Sequence, residues 1–167
     1  MYISEINSIP IIHLPKTTSE KFSSRGMNMA IGKINGNSFV IPLEPDGKGS
    51  HWFNFTEEMQ NKTGAAVGDK VELILEPIDD WHEPDIPDDI KNALNDDPEM
   101  HKLWLNCTTK GRWEWIRWIR STANPDTRKL RIEKSRSKLK KGLRRPCCFN
   151  QSMCTIPSVS KSGILNN

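Results

Sequence analysis

Between Pro77 and Pro87 the hydrophobic period of the chain changes from two residues to about 3.6. That change restricts the chain to folds that keep strands and helices in separate parts. The connector itself holds Asp79, Asp80, Glu83 and Asp85 together with three prolines, and it has no apolar periodicity. Such a segment marks a domain boundary.

Upstream, Met27, Met29 and Ile31 alternate with Asn28, Ala30 and Gly32, which predicts a half-buried strand with the first three on its inner face. Asn35-Gly36 predicts a type I′ hairpin, because both residues tolerate positive φ. The return strand carries Phe39, Ile41 and Leu43, and Pro42 assigns it an edge position, since proline cannot donate to a ladder. A turn-rich loop from Glu44 to Ser50 leads to a strand with His51, Phe53 and Phe55. Thr56 caps a short helix that Gly64 ends. Val71, Leu73 and Leu75 share one face of a further strand, and Ile9 to Leu14 supplies another. Five short strands and one helix predict closure into a small barrel, which removes exposed edges.

Downstream the reading is helical. Pro87-Asp88-Asp89 starts a helix through Ile90, Ala93 and Leu94, and Asp97-Pro98-Glu99 starts a second with Leu103 and Trp104. Residues 109–121 form a third, and Asn124-Pro125-Asp126 caps a fourth that stops at Gly142. The stretch from Pro146 to Asn167 has no period and reads as an irregular wrap with a loose end. The expected organisation is α+β: a small N-terminal β-barrel at 1–80, a basic helical domain at 84–145 and an irregular cysteine-containing tail at 146–167.

Charge divides at the same connector. The net charge of +3 over 167 residues conceals 7 basic against 15 acidic side chains in residues 1–90, and 17 against 6 in residues 91–167. Between Lys110 and Arg145 there are 14 basic and 3 acidic residues. This asymmetry fits nucleic acid or another anionic partner, and it fits equally a basic half neutralised by its own acidic half. No apolar run approaches the roughly 18 residues of a membrane span, so a transmembrane protein is excluded. The start, Met1 to Lys16, lacks the basic and long apolar regions of an export signal, so a monomeric cytoplasmic protein is expected.

The most distinctive stretch runs from Arg112 to Arg120. On a helix, Trp115, Ile116, Trp118 and Ile119 share one face, while Trp113, Arg117 and Arg120 lie opposite, where a guanidinium can stack on Trp113. The stretch reads either as a basic and aromatic binding surface or as a core helix whose arginines cover the ring edges. The fourth helix has a thin apolar stripe of Ile132, Ser135 and Leu139 and is otherwise basic, a pattern that can hold a phosphate backbone through counterion release. No zinc finger, RNA-recognition core or KH loop accompanies it.

Of the four cysteines, Cys147 and Cys148 are adjacent and so point apart, which disfavours a zinc site; no cofactor is expected. Were a metal bound, Cys147, Cys148 and Cys154 would hold it, with His101 or Cys107 completing the set. Arg144 and Arg145 just upstream favour a thiolate at Cys147. Gly47-Lys48-Gly49-Ser50 is similar to a phosphate loop, but position 42 holds Pro and no Ser or Thr follows Lys48 directly. The four histidines match no catalytic motif, which leaves His51 as a packed residue or as the base of a small enzyme.

Three runs resemble a known family. Trp113 to Ile119, Asn124-Pro125-Asp126-Thr127-Arg128 and Gly142 to Phe149 resemble the YdeI/OmpD-associated, or bacteriocin-protection, family. Pro42 to Gly47 and Gly68-Asp69-Lys70-Val71 resemble the domain of unknown function that often precedes it, whose members are similar to double-split β-barrels. The resemblance covers residues 25 to 157 and implies a protective role without supplying catalytic residues. The expectation is therefore a non-enzymatic binding or stress-protection module. Its face would use Trp113, Arg117, Arg120, Arg128, Arg131, Arg144 and Arg145, and the alternative is a thiol-redox or metal-binding protein using the C-terminal cysteines.

Overall fold

In a computed structural model that describes residues 1–147 and 149–167, two consecutive residues take positive φ at three places, and each place closes a tight hairpin. Asn7 and Ser8 join β1 (Ser4–Ile6) to β2 (Ile9–His13). Asn35 (φ 48°) and Gly36 (φ 82°) join β3 (Asn28–Ile34) to β4 (Asn37–Pro45), as the sequence predicts. Ser162 and Gly163 join β7 (Ser160–Lys161) to β8 (Ile164–Leu165), a pair the sequence reading left as loose tail. The tail's end is in fact held: Leu165 is 5% exposed and its N–H donates to the Asp46 carbonyl at 2.9 Å.

With β5 (His51–Asn54) and β6 (Leu73–Pro77), the first six strands form one antiparallel sheet in the order β1-β2-β5-β4-β3-β6. The strand order therefore leaves β1 and β6 as edges, and the expected closed barrel is not formed by a ladder. The two edges meet only through the lone bridge Tyr2–Lys70 and its flanking bonds, such as Val71 N–H to the Met1 carbonyl at 2.7 Å. A three-residue β1 is too short to continue the ladder further.

Two details of the hairpin differ from expectation. Asn28, Ala30, Gly32 and Ile34 face inward, while Ile31 is 41% exposed. The turn closes with Ile34 opposite Asn37, so Gly32 faces Phe39 and Ala30 faces Ile41. Directly opposed residues share a face, and the buried row of β4 thereby sets the phase of β3. Pro42 lies in a central strand rather than at an edge. It stands opposite Met29, an alternate position whose N points away from β3, and β5 pairs with β4 only at Glu44 and Pro45.

α1 (Lys16–Ser19) is a single turn after β2. In α2 (Glu57–Thr63), Thr56 Oγ1 accepts from Met59 N at 3.3 Å and Gly64 ends the helix with φ 69°, as expected. The four later helices also follow the sequence: α3 (Asp88–Asp96), α4 (Pro98–Leu105), α5 (Thr109–Arg120) and α6 (Pro125–Lys140). Asp97, Thr108 and Asn124 each accept backbone N–H bonds at the start of α4, α5 and α6.

The chain divides into two compact units, each with its own core. The sheet unit comprises Met1–Asp80, Gln151–Cys154 and Ser158–Asn167, and buries Ile12, Ala30, Ile34, Ile41, Phe53 and Phe55. The helical unit comprises Trp81–Asn150 and Thr155–Pro157, and buries Ile90, Met100, Trp104, Trp115, Ile119 and Leu139.

Gly32 is where the sheet core is tightest: a Cβ there would lie 2.3 Å from Ile41 Cδ1 and 3.2 Å from Leu75 Cδ2. Gly32→Ala is therefore expected to cost about 1–3 kcal/mol through overpacking. Ile41→Val, which removes the clashing methyl, should return part of that loss. Urea unfolding of both single variants and the pair checks this, and additive losses would contradict the packing account.

Candidate functional site

α5 presents no open basic face. Trp113 is 7% exposed, its Nε1–H donates to the His82 carbonyl at 2.9 Å, and its ring meets the His82 ring edge-on at 5.6 Å. Arg117 is 1% exposed, with its guanidinium 5.4 Å from the centre of the Phe149 ring. The side expected to face solvent is covered by the connector and by the segment after α6, so Trp113 and Arg117 lie within the helical unit. Arg120 is half-buried and donates through Nε to Thr155 Oγ1 at 3.0 Å.

The expected arginines of α6 are also engaged. Arg128 forms a two-pronged pair with Asp89, Nε to Oδ2 at 2.5 Å and Nη2 to Oδ1 at 3.1 Å. Arg131 Nη1 donates to the Trp118 carbonyl at 2.8 Å and to Ser121 Oγ at 2.6 Å, which satisfies a carbonyl in the last turn of α5. Arg145 lies 3.7 Å from Glu114, and the exposed Arg144 uses its carbonyl to accept from Trp115 Nε1 at 3.1 Å. Two further basic side chains pair inside the same unit, Arg112 with Glu83 and Lys140 with Asp97 at 2.9 Å. Six of the seven expected side chains thus take part in the unit's own bonding, and the Arg144 guanidinium stays exposed.

What points outward is lysine. Lys129, Lys134 and Lys141 are exposed and have no ion-pair partner among the described residues. At 100° per residue Lys134 and Lys141 fall within an arc of about 20° on the side of α6 away from the buried stripe of Ile132, Ser135 and Leu139, while Lys129 flanks that stripe about 60° from Ile132. Beside that arc, Lys138 Nζ lies 4.8 Å from the Trp118 ring centre and Arg131 lies 5.7 Å from it. Trp118, rather than Trp113, is the ring that carries stacked cations. The sequence shows α6 as basic on nearly every side but does not separate these lysines from the paired arginines, since that depends on where the acidic partners lie.

Carboxylate titration reflects these pairs. Hydrogen bonds from Arg128 hold Asp89 below its ordinary value, Lys140 does the same for Asp97, and Arg112 for Glu83. Burial pushes Glu114 up, against the opposing charges of Arg145 and Arg117. Cys147 is exposed and its Sγ lies 3.5 Å from Lys138 Nζ; Cys107 and Cys154 are buried, and burial raises the Cys107 thiol. Cys148 lies outside the described residues. Among the described residues no group of three His, Cys, Asp or Glu is placed to hold a metal ion, and no helix is long and apolar enough to cross a membrane.

Two family models match the chain. Residues 83–142 match the family described as bacteriocin-protection, YdeI or OmpD-associated, and residues 5–75 match a domain of unknown function, DUF1905. No curated protein and no solved structure matches.

The Asp89–Arg128 pair sets a pH dependence. Asp89 titrates lower in the folded chain than its ordinary 3.8, so its contribution is complete above that value and is lost as pH falls through the lower folded value. At pH 7, Asp89→Asn should destabilise the helical unit by about 0.2–1 kcal/mol, and the difference should vanish in strong acid. Urea unfolding followed by tryptophan fluorescence reads this, because five of the six tryptophans lie between 81 and 118. A gap that persists in acid would show that the pair is not its source.

Proposed function

Because residues 83–142 match the family described as bacteriocin-protection, YdeI or OmpD-associated, we propose that the chain is a non-catalytic protective module that holds an anionic partner on α6. The observation that carries this reading is the sorting of cations by type. Arg112, Arg128 and Arg131, whose planar forks suit fixed acceptors, are spent within the helical unit, whereas Lys129, Lys134 and Lys141 face solvent, together with Arg144. Hydrated, flexible ammonium groups provide charge without fixed geometry. That suits a nucleic-acid backbone, which is gripped by counterion release and needs no base reading. Trp118 with its two cations stands at the side of the Lys134 and Lys141 arc as a ring on which charge is already concentrated.

A second reading has one observation behind it. The Cys147 thiol is exposed and accepts a 3.5 Å contact from the Lys138 ammonium. A Cys147→Ser variant that loses protective activity while keeping nucleic-acid binding would favour this thiol role.

Binding to labelled duplex DNA should weaken with a log–log salt slope of about −0.9 for each phosphate contacted. Lys129→Glu, Lys134→Glu and Lys141→Glu together should flatten that slope by about 2.7 and weaken binding on every sequence alike. These three are the informative substitutions, since reversal at Arg128 or Arg131 would also break bonds that hold the fold. Titration at two salt concentrations decides the matter: no binding at low salt, or a triple variant that binds like the parent, would contradict the proposal.

A further inference from the structure

The outer side of β6 carries backbone groups that the sheet does not use. Asn35 N–H donates to the Glu72 carbonyl and Ile78 N–H to the Met29 carbonyl, both at 3.0 Å, next to the facing pairs Ile34–Leu73 and Ala30–Pro77. In an antiparallel ladder such bonds flank the non-hydrogen-bonded pairs, so Ile74 and Glu76 are the residues whose backbone turns to β3. Leu73 and Leu75 then turn N–H and C=O away from the sheet, and Pro77 turns its carbonyl. The same phase is seen at Val71, whose N–H donates outward to the Met1 carbonyl at 2.7 Å and whose carbonyl accepts from the Met1 nitrogen at 2.8 Å. Beyond Val71 this side has no backbone partner among the described residues, since β6 pairs with β3 alone.

Leu73, Leu75 and Pro77 also line a cavity of about 350 Å³, whose wall is completed by Met1, Thr18, Lys21 and Phe22. That volume lies at the lower end of the range that holds ligands. Leu73, Leu75, Phe22 and Met1 are half-buried and pack on the sheet core, so the cavity has an apolar floor. Lys21 is exposed and has no ion pair among the described residues, so it gives the wall a positive charge without a counter-charge. An apolar molecule alone would leave the N–H and C=O groups of the two leucines unanswered. A second copy of the chain would have to bring a whole sheet edge into a space of this size. One extended strand meets both conditions.

We propose that the open side of β6 takes up an extended peptide segment of a partner protein as one further strand, apolar at alternate positions and bearing an acidic residue for Lys21. An antiparallel segment exchanges two backbone bonds with each leucine and gives one N–H to the Pro77 carbonyl. These main-chain bonds supply affinity, and the apolar cavity with its lysine supplies selectivity. From Leu73 to Pro77 the strand covers about 14 Å, which sets the segment at about five residues. The site stands on the sheet unit alone and is independent of the lysines of α6.

The test adds the blocked peptide acetyl-Val-Glu-Val-Glu-Val-amide to the full-length protein and follows backbone amide hydrogen exchange by NMR. At saturating peptide, exchange at Leu73 and Leu75 is expected to slow about tenfold or more, while Ile74 and Glu76, already turned to β3, change little. The same peptide N-methylated at every residue keeps its side chains and loses its donors, and should bind at least about tenfold more weakly. Lys21→Gln, at an exposed residue, should weaken binding about two- to fivefold. Leu75→Pro removes one outward N–H, a change that an edge strand tolerates, and should lose binding. Peptide that leaves Leu73 and Leu75 exchange unchanged would overturn the proposal, as would an N-methylated peptide that binds equally well. Slowing at Leu73 and Leu75 that rises with protein concentration in the absence of peptide would overturn it in favour of a second copy. If Leu75→Pro does not fold, the N-methylated peptide and the alternation of exchange still decide.

Discussion

In the helical unit, carboxylates at helix starts each serve twice. Asp89 sits in the first turn of α3, where the helix dipole favours negative charge, and it also receives the Arg128 fork. Asp97 caps α4 through Met100 N at 3.0 Å and pairs with Lys140 at 2.9 Å. Glu83, in the connector, takes Arg112 and Thr109. These bonds matter because the apolar seam of α6 is only Ile132, Ser135 and Leu139, with the Ser135 hydroxyl turned back to the Arg131 carbonyl at 2.8 Å. Such a narrow seam leaves the orientation of α6 to the charged pairs. Once those pairs are made, the exposed cations that remain are mainly lysines.

The sheet unit has a comparable node in Asp46, which is 3% exposed. Its Oδ1 accepts from Lys48 N at 2.7 Å and Ser50 N at 2.9 Å, and Oδ2 accepts from His13 Nε2 at 3.0 Å. Burial alone would raise this carboxyl, but the two backbone N–H bonds and His13 carry it below its ordinary value. Its carbonyl meanwhile holds Leu165 N–H at 2.9 Å. One side chain thus fixes the turn that carries Gly49 and leads into His51.

The parts legible in the sequence were those governed by local chemistry. Asn35-Gly36 needs positive φ, Thr56, Asp97 and Asn124 cap their helices, and the apolar stripe of α6 is spaced for one face. What local chemistry does not determine was read differently. The phase of β3 depends on which residues of β4 it faces, and Pro42 is tolerated centrally because β5 ends beside it. The burial of Trp113 and Arg117 depends on His82 and Phe149, which are more than thirty residues away in the chain. Charge counting located the basic region correctly but could not separate arginines bonded within the unit from lysines facing water. That separation requires knowing where Glu83, Asp89 and Asp97 come to lie.

The central claim is that arginines build the helical unit while lysines serve its partner. Recording the arginine Nε–H and backbone amide resonances of the full chain while duplex DNA is added tests it most directly. The account predicts that amides around Lys129, Lys134 and Lys141 shift and that the Nε–H signals of Arg112 and Arg128 stay in place, held by Glu83 and Asp89. Shifts centred on those two arginine signals, with the lysine amides unmoved, would contradict it.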